Sequence, residues 1–123
     1  MFVSIDTIAI DGNKNGAAGM LELLVSELGK ADDNDWKIVF GHYPCHSGGH
    51  YGGFSSIQEQ VLDIIRHNPL STLAQVLPIM KGFNVDFYLT GHDHNQQHWT
   101  ERGNPAGIDH IVTGGSFFIE EIL

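Results

Sequence analysis

The chain has 123 residues, enough for one domain, or part of one, with a modest core. Fifteen acidic residues against six basic ones give a formal charge of −9, which argues against a nucleic-acid backbone or an anionic membrane as the main partner. No apolar stretch approaches the ~20 residues of a membrane span, so the sequence reads as soluble. Residues 1–6 lack the basic and apolar regions of a signal peptide and read as the start of a strand. Cys45 is the only cysteine, so an internal disulfide is excluded and the redox compartment stays open.

In chain order, residues 2–10 are rich in β-branched and aromatic side chains and end at Asp11-Gly12-Asn13, which predicts a strand running into a turn. Over residues 17–30, Met20, Leu21, Leu23, Leu24, Val25 and Leu28 recur at helical spacing, and Gly29 with Lys30 suits a helix end. Asp32-Asp33-Asn34-Asp35 reads as a solvated turn. Residues 36–40 form a short apolar run that stops at Gly41, so a second strand delivers His42 at its carboxyl end. Residues 43–55 carry Gly48, Gly49, Gly52 and Gly53, which predicts a long loop whose backbone can come close to a ligand. Helices are expected over residues 56–67 and 71–82, the second kinked or shortened by Pro78. A strand over residues 83–89 then delivers His92 and His94. After a polar connection over residues 100–109, residues 110–112 form another strand ending in Thr113-Gly114-Gly115, and residues 117–122 a last one. The alternation of strands and helices predicts an α/β architecture. Both ends read as cuts through a larger domain.

Eight histidines are several times an ordinary share, and the informative ones sit at strand ends. In Gly91-His92-Asp93-His94, two histidines one residue apart in extended backbone point to the same side, able to serve one metal or two adjacent ones, while Asp93 points away. An isolated H-x-H is a weak signal. Here Gly41-His42-Tyr43-Pro44 and Thr113-Gly114-Gly115 end neighbouring strands as well, and open α/β sheets bind ligands at such ends. The other histidines have structural readings. His67 suits a helix end, His98 and His110 read as surface or packing residues, and His46 beside Cys45 reads as part of the glycine loop.

The blocks Trp36-Lys37-Ile38-Val39-Phe40-Gly41-His42-Tyr43-Pro44, Val85-Asp86-Phe87-Tyr88-Leu89-Thr90-Gly91-His92-Asp93-His94-Asn95 and Ile111-Val112-Thr113-Gly114-Gly115-Ser116 resemble the last three metal-site blocks of the tartrate-resistant type of purple acid phosphatase, in the calcineurin-like metallophosphoesterase superfamily. Ile5-Asp6-Thr7 is similar to the strand before them. The resemblance implies half of a four-layer α/β/β/α sandwich with mixed sheets, residues 1–123 being the C-terminal portion of a single domain. It implies a dinuclear metal centre, Fe with Zn, Mn or a second Fe, with His42 and His92 on the divalent ion and His94 on the ferric ion.

It further implies phosphate monoesters as substrates, acting as an acid phosphatase, and a secreted, endomembrane or lysosomal protein. The family's other ligands are an aspartate, a bridging aspartate with a nearby tyrosine, and an asparagine in a GNH block. No such block occurs here, so a missing N-terminal half of the domain is the expected partner, and this chain alone is expected to be a poor phosphatase. The family places a histidine nine residues after the GHxP-type ligand, where this chain has Tyr51. His50 beside it is the expected proton donor to the leaving alkoxide, with His67 the alternative if residues 51–66 are an insertion. The rival functions are a phosphodiesterase or nucleotidase, and a non-catalytic fragment that holds one adventitious Zn²⁺.

Overall fold

A computed structural model describes residues 1–11, 16–45, 47, 75–100 and 107–115. Five strands, β1 (Phe2–Ser4), β2 (Ile38–Phe40), β3 (Phe87–Thr90), β4 (Gln96–Thr100) and β5 (Asp109–Thr113), form one sheet in the order β1-β2-β3-β5-β4. The first four in that order run parallel, and β4 pairs antiparallel with β5 at the edge. The helices are α1 (Thr7–Asp11), α2 (Ala17–Leu28) and α3 (Val76–Gly82). The expected α/β class holds, with a mixed sheet.

Strand alternation sorts the side chains into two faces. Val3, Val39, Tyr88 and His110 stand side by side across β1, β2, β3 and β5, and all are buried. Leu24 and Leu28 of α2 and Val76 and Met80 of α3 join Val3, Val39 and Tyr88 in one core. The alternate rows contain Phe2, Ile38 and Phe87, and Phe40, Leu89 and Ile111. Phe2 is 71% exposed and Phe40 39%, so this second face is apolar and only partly covered among the described residues.

Several boundaries differ from expectation for local reasons. The first strand does not run to Ile10; it ends at Ser4, because Asp6 turns the chain. Its carboxylate accepts the Ala9 amide at 3.0 Å and its carbonyl accepts the Ile10 amide, which makes Asp6 the N-cap of α1. Gly16 starts α2 from a left-handed conformation, φ 99°. Pro78 lies in the first described turn of α3, where a missing N–H costs little. The third strand begins at Phe87 and not at Phe83, because Phe83 and Asn84 close α3; Asn84 has φ 54°, a conformation asparagine tolerates at a helix end. Gln96–Thr100 pairs as an edge strand where the sequence suggested only the approach to a polar connection. The helix expected over residues 56–67, the start of the one expected over 71–82 and the last strand over 117–122 lie outside the described residues.

Candidate metal centre

The strands stop together on one rim. β2 ends at Phe40 and β3 at Thr90, and each is followed by a glycine and then a histidine. Gly41 is needed for close approach: a Cβ there would come within 2.6 Å of Thr7 Cγ2 and 3.2 Å of the Ile5 carbonyl. A Cβ on Gly114 would come within 2.0 Å of the Asp93 carbonyl oxygen, so the end of β5 packs directly under the turn that follows β3. The missing side chain lets the Thr7 methyl lie against the main chain at Gly41 and lets backbone meet backbone at Gly114.

His92 is not in the extended backbone that an H-x-H reading assumes. It has φ 68°, in the left-handed region, and the turn is closed by the Asp93 amide on the Gly91 carbonyl and the Asn95 amide on the Asp93 carbonyl, both at 2.9 Å. This tight turn buries Asp93 completely and leaves His92 and His94 partly exposed. The Ser47 hydroxyl donates to the Asp93 carboxylate. Gln97 donates from Nε2 to Ser47 at 3.0 Å and to the Asn95 side-chain oxygen at 2.6 Å, and the Trp99 indole donates to Gln97 Oε1 at 2.8 Å. A chain of side-chain bonds thus runs from β4 under the histidine turn to the loop after β2.

Above this support, His42 Nε2 lies 3.2 Å from His92 Nδ1. The Tyr43 ring meets His92 edge-on, with centroids 4.6 Å apart and planes at 89°, and meets His42 at 5.2 Å, which restricts rotation of both imidazoles. Two imidazole nitrogens on one Zn²⁺ at about 2.0–2.1 Å, at angles between 90° and tetrahedral, stand about 2.9–3.4 Å apart. The observed separation therefore fits two ligands of a single ion. The same separation also suits an N–H···N bond between the two rings, one donating and the other accepting.

His94 does not join these two: among the described residues no group of three or more His, Cys, Asp or Glu side chains is arranged to hold a metal. His50, His67 and His46 lie outside the described residues. His98 is exposed and 3.5 Å from the Asp109 carboxylate, a surface pair, whereas His110 is buried edge-on against Tyr88. Sequence reasoning missed the supporting residues Thr7, Ser47, Tyr88 and Gln97. Thr7, Tyr88 and Gln97 are themselves buried while the residues on either side of them in the chain are not, and nothing in the sequence marks that difference.

The "Metallophos" profile of calcineurin-like phosphoesterases matches residues 4–96, which include both members of the imidazole pair. The chain belongs to the calcineurin-like phosphoesterase family. Within that family it is similar to purple acid phosphatases: 30% identical over 111 residues to purple acid phosphatase 17 of Arabidopsis thaliana, covering 90% of this chain and 28% of that protein. It is 26% identical over 131 residues to the human tartrate-resistant acid phosphatase type 5, covering 94% and 34%. A solved structure described as GAP50, the anchor in the inner membrane complex of Plasmodium, superposes with a TM-score of 0.65 at 29% identity, covering 94% of this chain and 32% of that one. The chain thus spans roughly a third of the length of these relatives.

Proposed function

We propose that this chain supplies the C-terminal wall of a dinuclear metallophosphoesterase centre that hydrolyses phosphate monoesters, in the manner of an acid phosphatase. The observation that carries the reading is the convergence of His42 Nε2 and His92 Nδ1 at 3.2 Å on the strand-end rim. His42 and His92 would hold one divalent ion, Zn, Mn or Fe, and His94 a neighbouring ferric ion. When bound, such a pair supplies Lewis-acid polarisation of a phosphoryl oxygen and an acidified water as nucleophile.

The chain's own residues fix the ligand geometry. Tyr43 braces both imidazoles, and the Ser47, Asp93, Gln97 and Trp99 bonds hold the turn that carries His92 and His94. His50 would protonate the leaving alkoxide, with His67 as the rival donor. The remaining ligands would come from an N-terminal part of the same domain, beyond the roughly one third of the relatives' length that this chain spans. The charge of −9 weighs against nucleic acid or an anionic membrane as partner.

The test is calorimetric titration of the chain with Zn²⁺ and Co²⁺, alongside p-nitrophenyl phosphate hydrolysis. The expected result is one weakly held divalent ion per chain, lost in His42→Ala and His92→Ala but kept in His98→Ala, with little hydrolysis by the chain alone. Uptake that is indifferent to His42 and His92 would sink the assignment. A second reading, a non-catalytic module on the same fold, is favoured by the likeness to a protein described as an anchor. A longer form that holds both metals yet leaves phosphate monoesters intact would decide for it.

A further inference from the structure

The backbone of His42 and Tyr43 is held in a way that neither β2 nor the loop after it could achieve alone. The His42 carbonyl accepts the Gly91 amide at 3.1 Å, and the Tyr43 carbonyl accepts the Tyr88 hydroxyl at 2.8 Å. Both amides, of His42 at 3.0 Å and of Tyr43 at 2.9 Å, converge on one atom, Thr7 Oγ1. All four backbone groups of the dipeptide are therefore satisfied by distant segments, and half of them by a single hydroxyl.

Thr7 suits this task in three respects. A hydroxyl oxygen has two acceptor lone pairs, enough for two amides at once. The side chain is 1% exposed, so water does not compete for the amides. Its methyl group packs beneath Gly41, and the β-branched side chain has few rotamers, so Oγ1 is held in place. Thr7 itself is fixed as the first residue of α1, behind the Asp6 cap.

We propose that Thr7 is a positioning residue for the metal centre, acting through the main chain of His42. This inference rests on the metal reading above. Without the hydroxyl, two amides lose their acceptor, the dipeptide shifts to find others, and the His42 imidazole leaves its place opposite His92. Thr7 touches neither metal nor substrate.

Thr7→Val keeps the shape and removes the acceptor, whereas Thr7→Ser keeps the acceptor. Co²⁺ is the probe, read by calorimetry and by its visible ligand-field spectrum in the full chain. Residues that orient a metal ligand typically contribute about 10–100-fold in affinity, so Thr7→Val is expected to bind Co²⁺ at least about tenfold more weakly with an altered spectrum. Thr7→Ser is expected to restore both. Amide hydrogen exchange reads the clamp without metal: the His42 and Tyr43 amides should be protected in the wild type and in Thr7→Ser, and exposed in Thr7→Val. Wild-type uptake of Co²⁺ with no loss in Thr7→Val overturns this inference alone. A wild-type chain that takes up no Co²⁺ overturns the metal reading and this inference together. Unprotected His42 and Tyr43 amides in the wild type overturn it even if Thr7→Val does not fold.

Discussion

The two ends of the sheet are built differently. At the amino ends of the strands the chain closes on itself: the Met1 amine donates to the Trp36 carbonyl at 2.6 Å, the Asp86 amide to the Lys37 carbonyl at 2.9 Å, and the Asp109 amide to the Asp86 carbonyl at 2.9 Å. Lys37 lies buried among these bonds, its amide on the Asp86 carboxylate and its ammonium on the Phe83 carbonyl. At the carboxyl ends much of the backbone is instead held by side chains from elsewhere, Thr7 and Tyr88 on the His42 loop, with glycines where the chains meet. The first arrangement consumes its polar groups in structure. The second fixes the backbone from below and leaves imidazoles directed outward, which is what a ligand site needs.

Four substitutions would sharpen or break this contrast. Gly114→Ala should have the largest effect, because its Cβ would overlap the Asp93 carbonyl at 2.0 Å and both partners are backbone. A loss of about 3 kcal/mol in urea unfolding is expected, together with metal uptake. An unchanged midpoint would mean that the two strand ends do not pack as described. His92→Gly should split the two quantities: divalent-ion affinity falls about 100-fold or more, while stability rises by about 1 kcal/mol as the left-handed conformation is relieved. Parallel losses of both would make His92 a structural residue.

At the opposite end Lys37→Met should remove about 1 kcal/mol of stability through the lost bond to Phe83, and leave metal affinity at the wild-type value. A change in affinity there would show that the ends are not independent.

The smallest expected effect concerns Tyr88. Burial, with a lesser contribution from Cys45, raises its phenol well above the usual 10.0. The folded chain therefore keeps the proton that the unfolded chain releases. The resulting stability is complete below about pH 10 and is lost as pH rises toward the folded-state value. Alkaline unfolding curves should slope less steeply above about pH 10 in Tyr88→Phe than in the wild type. Equal slopes would mean that the phenol is solvated, and the bond to Tyr43 with it.

What could be read from the sequence was what short-range chemistry dictates. Apolar runs that end in Gly41 and Gly91 placed β2 and β3 and the histidines behind them, because a buried strand needs continuous apolar residues and a close turn needs glycine. Helical spacing likewise placed α2. The edge strand β4 was not legible, since Gln96, His98 and Thr100 face outward and an edge strand needs no apolar alternation of its own. Nor was the end of β1, which depends on one carboxylate capping α1.

The candidate site divides in the same way. Residue type named His42 and His92, because few side chains other than imidazole carry a ligand nitrogen at neutral pH. Only the fold brought residues fifty positions apart to 3.2 Å, and only the fold turned Thr7, Tyr88, Ser47 and Gln97 into their supports. The physical reason is that a ligand is recognised by its own chemistry, which the sequence spells out, whereas a support is defined by the distant group it reaches, a backbone group for Thr7 and Tyr88 and a side chain for Ser47 and Gln97. The His42 amide lies 35 residues from Thr7 and the Tyr43 carbonyl 45 from Tyr88, and they meet only because the sheet pairs β1, β2 and β3 and the Asp6 turn starts α1 beside them.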